Sequence, residues 1–520
     1  MFSRVPVRLF SIFVAIVVLF SISTTLFAEI HTTARPQVRV TARVDNSKRT
    51  TLYGHVSGAI RMSKDMGRMD PGTPTGRMIM VLNSDDEQKR ELRRVIDEQH
   101  DKRTANYHQW LKPEDFGARF GVHDSDISQV ETWLKSQGFT VEDVSKSKRV
   151  IHFSGTTGQL EKAFKTQMHS YQHRGKTEVA NNGNISIPTA LSPVIAGVTV
   201  HSSFRSPRKN PLVGKVHLSR KEKPDFGDVS GNYVGPADFA TIYNTNPLLA
   251  AGITGTGSSI AIVGDSDVWM SDIQVYRQMF NLPVNDPTII YAGQNNGIIA
   301  GDDQEADSDI ELAGGIAPGA TIYYVDGSSN LLVDGVTNAK EYVVENNLAD
   351  IISDSYPGGC ELNANNAFEN QLWEQAAAQG QSVFVAADNV GPEDCDSASD
   401  AFGVGGYAVT SDSTPYNVSV GGTTFNEGSG TYWSTTPNPV SFESALSYIP
   451  EIAWNEATAS TTGNSTTGAG IYSSGGGISA YYLKPAWQQG PGVPTTDPTV
   501  AGNLWVPQYG GVIITGGGSG

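Results

Sequence analysis

The chain has 520 residues, 38% of them hydrophobic and 18% charged, and two cysteines. That is long enough for two or three domains with real cores. It has no CxxC or HExxH spacing, so zinc chemistry is not expected. Charge divides the chain sharply. Residues 1–226 carry 34 Lys and Arg against 22 acids, a net of +12, whereas residues 227–520 carry 3 (Arg277, Lys340, Lys484) against 32, a net of −29, which together give −17. All ten histidines precede Gly227, so a Ser-His-Asp triad within the second part is excluded by inventory. The basic part interleaves its cations with acids and shows no aromatic stacking motif, which argues against nucleic acid. A simpler reading is that it covers the acidic part of the same chain, an attraction that protonation of carboxylates would weaken.

In chain order, Arg4 and Arg8 precede an apolar run from Leu9 to Phe27 and small residues up to Ala28. Residues 1–28 therefore read as a secretory signal peptide, with an uncleaved anchor as the alternative. The expected location is secreted, extracellular or periplasmic, without membrane association once the signal is removed. Residues 29–75 read as a weakly ordered leader. From Arg77 the pattern becomes regular: "RMIMVLN" is strand-like and "EQKRELRRVIDEQHD" helical. "DSDISQVETWLKSQG" is a second helix with Asp124 or Ser125 as N-cap and Gly138 as its stop. "TVEDVSKSKRVIHFSG" holds two short strands, and "TTGQLEKAFKTQMHSYQ" begins another helix. Residues 76–203 thus read as a ferredoxin-like α/β sandwich.

Arg205 to Lys223 has the prolines, positive charge and lack of periodicity of an exposed, cleavable linker, bounded at 204–227. Beyond it, "SSIAIVGD", "ADIISDS" and "QSVFVAAD" read as buried parallel strands ending in polar residues. Between them lie helical stretches such as "MSDIQVYRQMF", "NAKEYVVENN" and "ENQLWEQAAAQG". Residues 228–520 are therefore expected to form a doubly wound α/β domain with its chemistry at the carboxyl edge of the sheet. The low-complexity segment 460–477 reads as a surface loop.

A domain without histidine must move protons with carboxylates, which become useful bases when burial or a like-charged neighbour raises their pKa. Glu305 and Asp309, four residues apart in "DDQEADSDIELAGGIAPGA", are spaced to share a proton, although acidic helix faces are also common. Cys360 and Cys395 fit an oxidising compartment, as one disulfide or as two thiols.

The second part resembles the sedolisins, the kumamolisin-like serine-carboxyl peptidases. The resemblance runs from "FATIYNTNPLLAAGITGTGSSIAIVGDSD" through "GGIAPGATIYYV", "SDSYPGGCE", "VFVAADNVGPEDCD" and "AWNE" to "SGGGISAYYLKPAWQ". The first part resembles the activation domain of that family, most closely in "YHQWLKPEDFGARFGVHDSDISQVETWLKSQGF". The resemblance implies a subtilisin-like fold for the second part. It implies Glu305 as the base that accepts the nucleophile's proton and Asp309 as the group that orients it. Asp388 would be a protonated oxyanion donor. A Cys360–Cys395 disulfide would brace the oxyanion turn, and Ser474–Gly477 with "SDSYPGG" would line a cleft for an extended peptide.

The family's nucleophile stands in a Gly-Thr-Ser motif, and none occurs after Trp487; Ser519, in "GGGSG", is the one candidate there. The family's calcium site is expected beyond the last residue, so no specific metal and no cofactor is expected here. The resemblance implies an exported, acid-acting serine-type endopeptidase zymogen, incomplete at its C-terminus. Its partners are a peptide or protein substrate and its own activation domain. The alternative is an inactive pseudoenzyme that binds peptides or a related protease. An aspartic protease on the same acid pair is disfavoured by the lack of Asp-Thr-Gly.

Overall fold

Residues 78–82 are an unbroken apolar run, where a strand with one solvated face would alternate. The computed structural model shows why. It describes residues 34–200 and 227–493, apart from breaks of which the longest are 359–365, 390–413 and 456–472, and two short backbone stretches at 503–506 and 511–514. The proposed signal segment 1–28, residues 204–226 of the proposed linker, Cys360, Cys395 and Ser519 lie outside the described residues.

The first domain contains β1 (Arg49–Leu52), β2 (Lys64–Arg68), β3 (Pro74–Leu82), α1 (Asp86–His100), α2 (Pro113–Phe120), α3 (Asp124–Ser136), β4 (Thr140–Val144), β5 (Val150–Thr156), α4 (Thr157–Phe164), β6 (Met168–His173), β7 (Lys176–Asn181), β8 (Ile185–Pro188) and β9 (Ile195–Val198). Its main sheet is antiparallel in the order β4-β5-β3-β9. With helices between β3 and β4 and between β5 and β9, this is the split βαβ arrangement of a ferredoxin-like sandwich. Met78, Met80, Leu82, Ile151 and Phe153 pack with residues of α3 and α4, including Trp133 and Phe164. Their strand neighbours Ile79, Val81 and Val150 point the other way, as alternation requires, and join the core of the second domain. Both faces of the sheet are buried along residues 78–82 and 150–153.

Two expectations need correction. Residues 29–75 are not a weakly ordered leader throughout: β1 pairs with β8, β2 pairs with β6, and the backbone N–H groups of Arg39 and Val40 donate to the Asp126 carboxylate at 2.8 and 3.0 Å. These partners are remote in sequence, so no local pattern announces them. The N-cap of α3 is His123, whose Nδ1 accepts from the Ser125 N–H at 3.1 Å, not Asp124 or Ser125. An unprotonated ring nitrogen there does what a hydroxyl or carboxylate usually does.

The second domain is built on β10 (Ser259–Gly264), α5 (Met270–Met279), β11 (Thr288–Ala292), α6 (Asp302–Ile316), β12 (Thr321–Gly327), α7 (Gly335–Glu345), β13 (Ile351–Asp354), α8 (Asn366–Ala378), β14 (Ser382–Ala386) and β15 (Val418–Val420). The strands form a six-stranded parallel sheet in the order β11-β12-β10-β13-β14-β15, growing outward from β10 in both directions. On one face Ile262, Ile322 and Tyr324 pack with Ala306 and Ile310 of α6. On the other, Ala261, Val263 and Ile352 pack with Val336, Ala339 and Val343 of α7 and Trp373 of α8. This is the doubly wound α/β domain expected from the sequence.

The two domains meet where the outward residues of β3 and β5 lie on α7 and α8. Arg149 binds Glu374 at 3.0 Å and donates to Gln371 at 3.1 Å, with the Arg149 and Glu374 side chains only 4% and 6% exposed. The Ser147 N–H donates to Glu345 at 3.1 Å, and His152 bridges Asp143 at 2.5 Å and Glu341 at 2.9 Å. The basic part of the chain thus docks its cations on acids of the second part. Removing one member of a buried pair leaves an uncompensated charge, at a cost of roughly 3–5 kcal/mol. Arg149→Met is expected to lose stability on that scale in urea unfolding at pH 7, and Arg149→Met combined with Glu374→Met to recover most of it.

Candidate active site

The site is assembled on the carboxyl edge of the parallel sheet. Helix α6 begins at Asp302, where the Asp302 and Asp303 N–H groups reach back to the Ile299 carbonyl and Gly301 adopts φ +100°. Its first turn carries Asp302, Asp303 and Glu305. Negative charge there interacts favourably with the unpaired N–H groups and macrodipole of a helix start, which offsets the repulsion between Glu305 and Asp309. Ala306, Ile310 and Gly314, at intervals of four, form the buried stripe of the helix. That stripe sets the rotation of α6 and leaves Glu305 and Asp309 half-buried on its flank.

Asp309 is held from the neighbouring strand. Ser355, the residue after β13, donates its hydroxyl to Asp309 Oδ1 at 3.0 Å. Asp388 stands after β14, the strand paired with β13, and so lies at the same edge. It adopts φ +71°, uncommon for a residue with a side chain. Its carbonyl accepts the Gly475 N–H at 2.9 Å and its Oδ1 accepts the Asn389 N–H at 2.6 Å. A Cβ on residue 475 would sit 1.6 Å from the Ala387 oxygen, so only glycine permits this approach. Ser473 and Ser474 continue the contact through N–H bonds to the Asn389 and Trp454 carbonyls. The fold therefore brings Asp388 against the glycine-rich segment singled out in the sequence, and Asp309 against "SDSYPGG" through Ser355.

Sequence reading missed a second set of acids. Asp326, the penultimate residue of β12, is fully buried. Its carboxyl is pushed up to about 7, first by burial and then by Asp267 and Asp265 just beyond β10. Asp267 accepts from Asn295 at 2.9 Å and from the Tyr291 hydroxyl at 3.2 Å. Tyr324, whose hydroxyl donates to the Ser266 carbonyl at 2.8 Å, is held protonated by burial and by Asp326, Asp265 and Asp309. The one available signal was the run of strands ending in Asp. Between α5 and α6, burial pushes Asp307 up to about 6 despite the N–H it accepts from Trp269, with Asp272 and Asp303 adding to the rise. Among the described residues, no group of three or more His, Cys, Asp or Glu could hold a metal ion, and no helix is long and apolar enough to cross a membrane.

A doubly wound domain with carboxylates gathered at its active edge, capped by a basic α/β domain, has recognisable relatives. Residues 61–204 match the family described as "Pro-kumamolisin, activation domain". The chain is 28% identical over 395 residues to sedolisin of Pseudomonas sp. (strain 101), covering 74% of this chain and 62% of that protein. It is 26% identical over 435 residues to xanthomonalisin of Xanthomonas sp. (strain T-22), covering 74% and 48%, and 24% identical over 415 residues to kumamolisin of Bacillus sp. (strain MN-32), covering 77% and 67%. The chain thus spans about half to two thirds of the length of these relatives. A solved structure of Pseudomonas sedolisin, a serine-carboxyl proteinase complexed with two molecules of pseudo-iodotyrostatin, overlaps 54% of this chain and 75% of its own at 24% identity and a TM-score of 0.39, too loosely to bear on the geometry. The chain is similar to the sedolisins over about three quarters of its length, and residues 61–204 match the activation domain found with them.

The raised carboxyls make stability depend on acid. Glu311 is pushed up to about 8 from an ordinary 4.5 by burial, then by Asp307 and Asp272. Below pH 4.5 it is protonated whether folded or unfolded and costs nothing; the cost builds as pH rises above 4.5, where the unfolded chain gives up the proton, and is complete above about 8. Glu311→Gln is expected to add about 1–3 kcal/mol at pH 8, once solvent relaxation is allowed for, and nothing at pH 4. Urea midpoints at the two pH values check this.

Proposed function

We propose that the chain is the exported zymogen of an acid-acting serine-type endopeptidase. The observation that carries this reading is the Ser355-held Asp309 one helical turn from Glu305, with the Asp388 turn on the adjoining strand. Glu305 takes the proton of a serine hydroxyl as that oxygen attacks the peptide carbonyl. Asp309 orients Glu305 and shares that proton, so Glu305 plays the part of the histidine and Asp309 that of the aspartate in a neutral-pH triad. Asp388, in its protonated form, donates to the developing oxyanion. The acyl-enzyme is then released by water through the same carboxylates. A histidine would be of little use here, since acid keeps it protonated. In residues 488–520 the serine available as nucleophile is Ser519.

Docking of the activation domain is the second half of the proposal. Burial opposes charge on His152, but Glu341 and Asp143 raise it to about 9. The histidine is therefore already charged at neutral pH. Its contribution to docking is complete below about 6.5 and is lost only as pH rises through 9. Acid does not act through it. Asp143, on the same domain as His152 and lowered first by the His152 hydrogen bond, stabilises that domain above its ordinary 3.8 and loses that contribution as pH falls, so what acid could remove from the seam is charge on the acids across it. Glu345 behaves in the opposite sense, because burial raises it and protonation relieves that cost. Release in acid is thus a balance that loss of the carboxylate charges opposing Arg149 and His152 must win.

A second reading is an acid-dependent peptide-binding protein without turnover. Both are tested by expressing the chain from residue 29, bringing it to about pH 4, where carboxylates titrate, and following its mass. A cut between Arg205 and Asp228 that disappears in Glu305→Ala supports the enzyme and requires a nucleophile, with Ser519 the first to replace. An intact mass with no hydrolysis of a mixed peptide pool supports binding alone. If cleavage occurs, Asp388→Asn, which can donate at any pH, is expected to keep more activity than Asp388→Ala and to extend it toward neutral pH. Initial rates from pH 3 to 7 distinguish the outcomes.

A further inference from the structure

Lys340 is one of the three cations in residues 227–520, and it is entirely buried. Its ammonium lies 2.7 Å from Asp354 Oδ2 and 3.9 Å from Glu369 Oε2, with the Trp373 ring centre 5.9 Å away. Such a cluster is a poor route to stability, because well-packed apolar residues of similar volume often serve as well or better. Its position in the sheet suggests another use. Successive residues of a strand point to opposite faces. Ile352 packs in the core beneath α7 and α8, and Asp354, two residues on, meets Lys340 of α7 on the same side. Ser355 falls on the other side, where it reaches Asp309 of α6. Asp354 Oδ1 also accepts the Tyr356 N–H at 2.8 Å, closing the turn on which Ser355 sits.

We propose that Lys340 is a positioning residue for the Glu305–Asp309 pair. By gripping Asp354 from behind the sheet it fixes the 354–356 turn, and the turn presents the Ser355 hydroxyl to Asp309 in front of it. The inference rests on the reading of Glu305 and Asp309 as base and partner. Around Asp309 the groups that face it are Glu305 on its own helix, Ser355 beyond β13, and Tyr324 of β12 with its neighbours Asp265 and Asp326. A hydroxyl donated to a carboxylate favours its charged form. Loosening the turn therefore raises the pH at which Asp309 takes its proton.

The test is a ¹³C-carboxyl NMR titration of the full chain, with Asp309 and Glu305 assigned from Asp309→Asn and Glu305→Gln. Ser355→Ala is expected to move the Asp309 midpoint upward. Lys340→Met is expected to move it in the same direction, and to add nothing when combined with Ser355→Ala, because both act through one hydrogen bond. Asp354→Asn keeps the side-chain volume and the acceptor for the Tyr356 N–H, and carries the test if Lys340→Met does not fold. An unchanged midpoint in folded Lys340→Met or Asp354→Asn overturns the proposal, as does a shift that simply adds to that of Ser355→Ala. None of these readings needs turnover. A chain that fails to hydrolyse peptide yet shows the coupled shifts would refute the enzymatic reading and leave the positioning role intact.

Discussion

The arrangement depends on a sheet whose central strands have no solvent side. Ile79, Val81 and Val150 extend from the first domain into the core formed by α7, α8 and the parallel sheet. Burial of apolar side chains of this size is worth roughly 1.5–3 kcal/mol each. The first domain alone would expose that stripe, and the second alone would expose the outer faces of α7 and α8. The polar contacts around the seam give it register: a guanidinium on Glu374, a backbone N–H on Glu345 and an imidazole on Glu341.

The same two helices connect the seam to the candidate site. Glu341 and Glu345 of α7 face the first domain, while Lys340, just before Glu341, turns inward to Asp354. Docking partner and site are therefore held by opposite flanks of one eleven-residue helix. The sheet passes the constraint from its back to its front by the ordinary alternation of a strand end. No moving part is needed for the two functions of α7 to share a backbone.

Local pattern made much of this visible beforehand. "RMIMVLN", the helices around Leu92 and Val130, and the strands ending at Gly264, Asp354 and Ala386 all have the period or length that their burial demands. Strands β1 and β2 were invisible because their partners lie more than 100 residues away, and pairing of that kind leaves no trace in composition. His123 as a cap escaped notice because imidazole is an uncommon acceptor at that position. At the site, the spacing of Glu305 and Asp309 alone did not separate a proton-sharing pair from a solvated helix face. The resemblance of the surrounding motifs to a family is what pointed to the pair. Ser355 and Asp326 were missed for a simpler reason: a serine after a strand and an aspartate near its end look the same whether or not a carboxylate waits across the sheet.

The uneven distribution of charge has one more consequence. A protease that cuts after Lys or Arg finds 34 such residues before Gly227 and three after it. Of those three, Arg277 and Lys340 are buried, and Lys484 is followed by Pro485, a bond such proteases cleave poorly. The acidic domain is thus poor food for the trypsin-like enzymes that would digest its escort. Exposed to them, the chain would be whittled from its basic end inward, with the carboxylate-bearing fold the last part to be consumed.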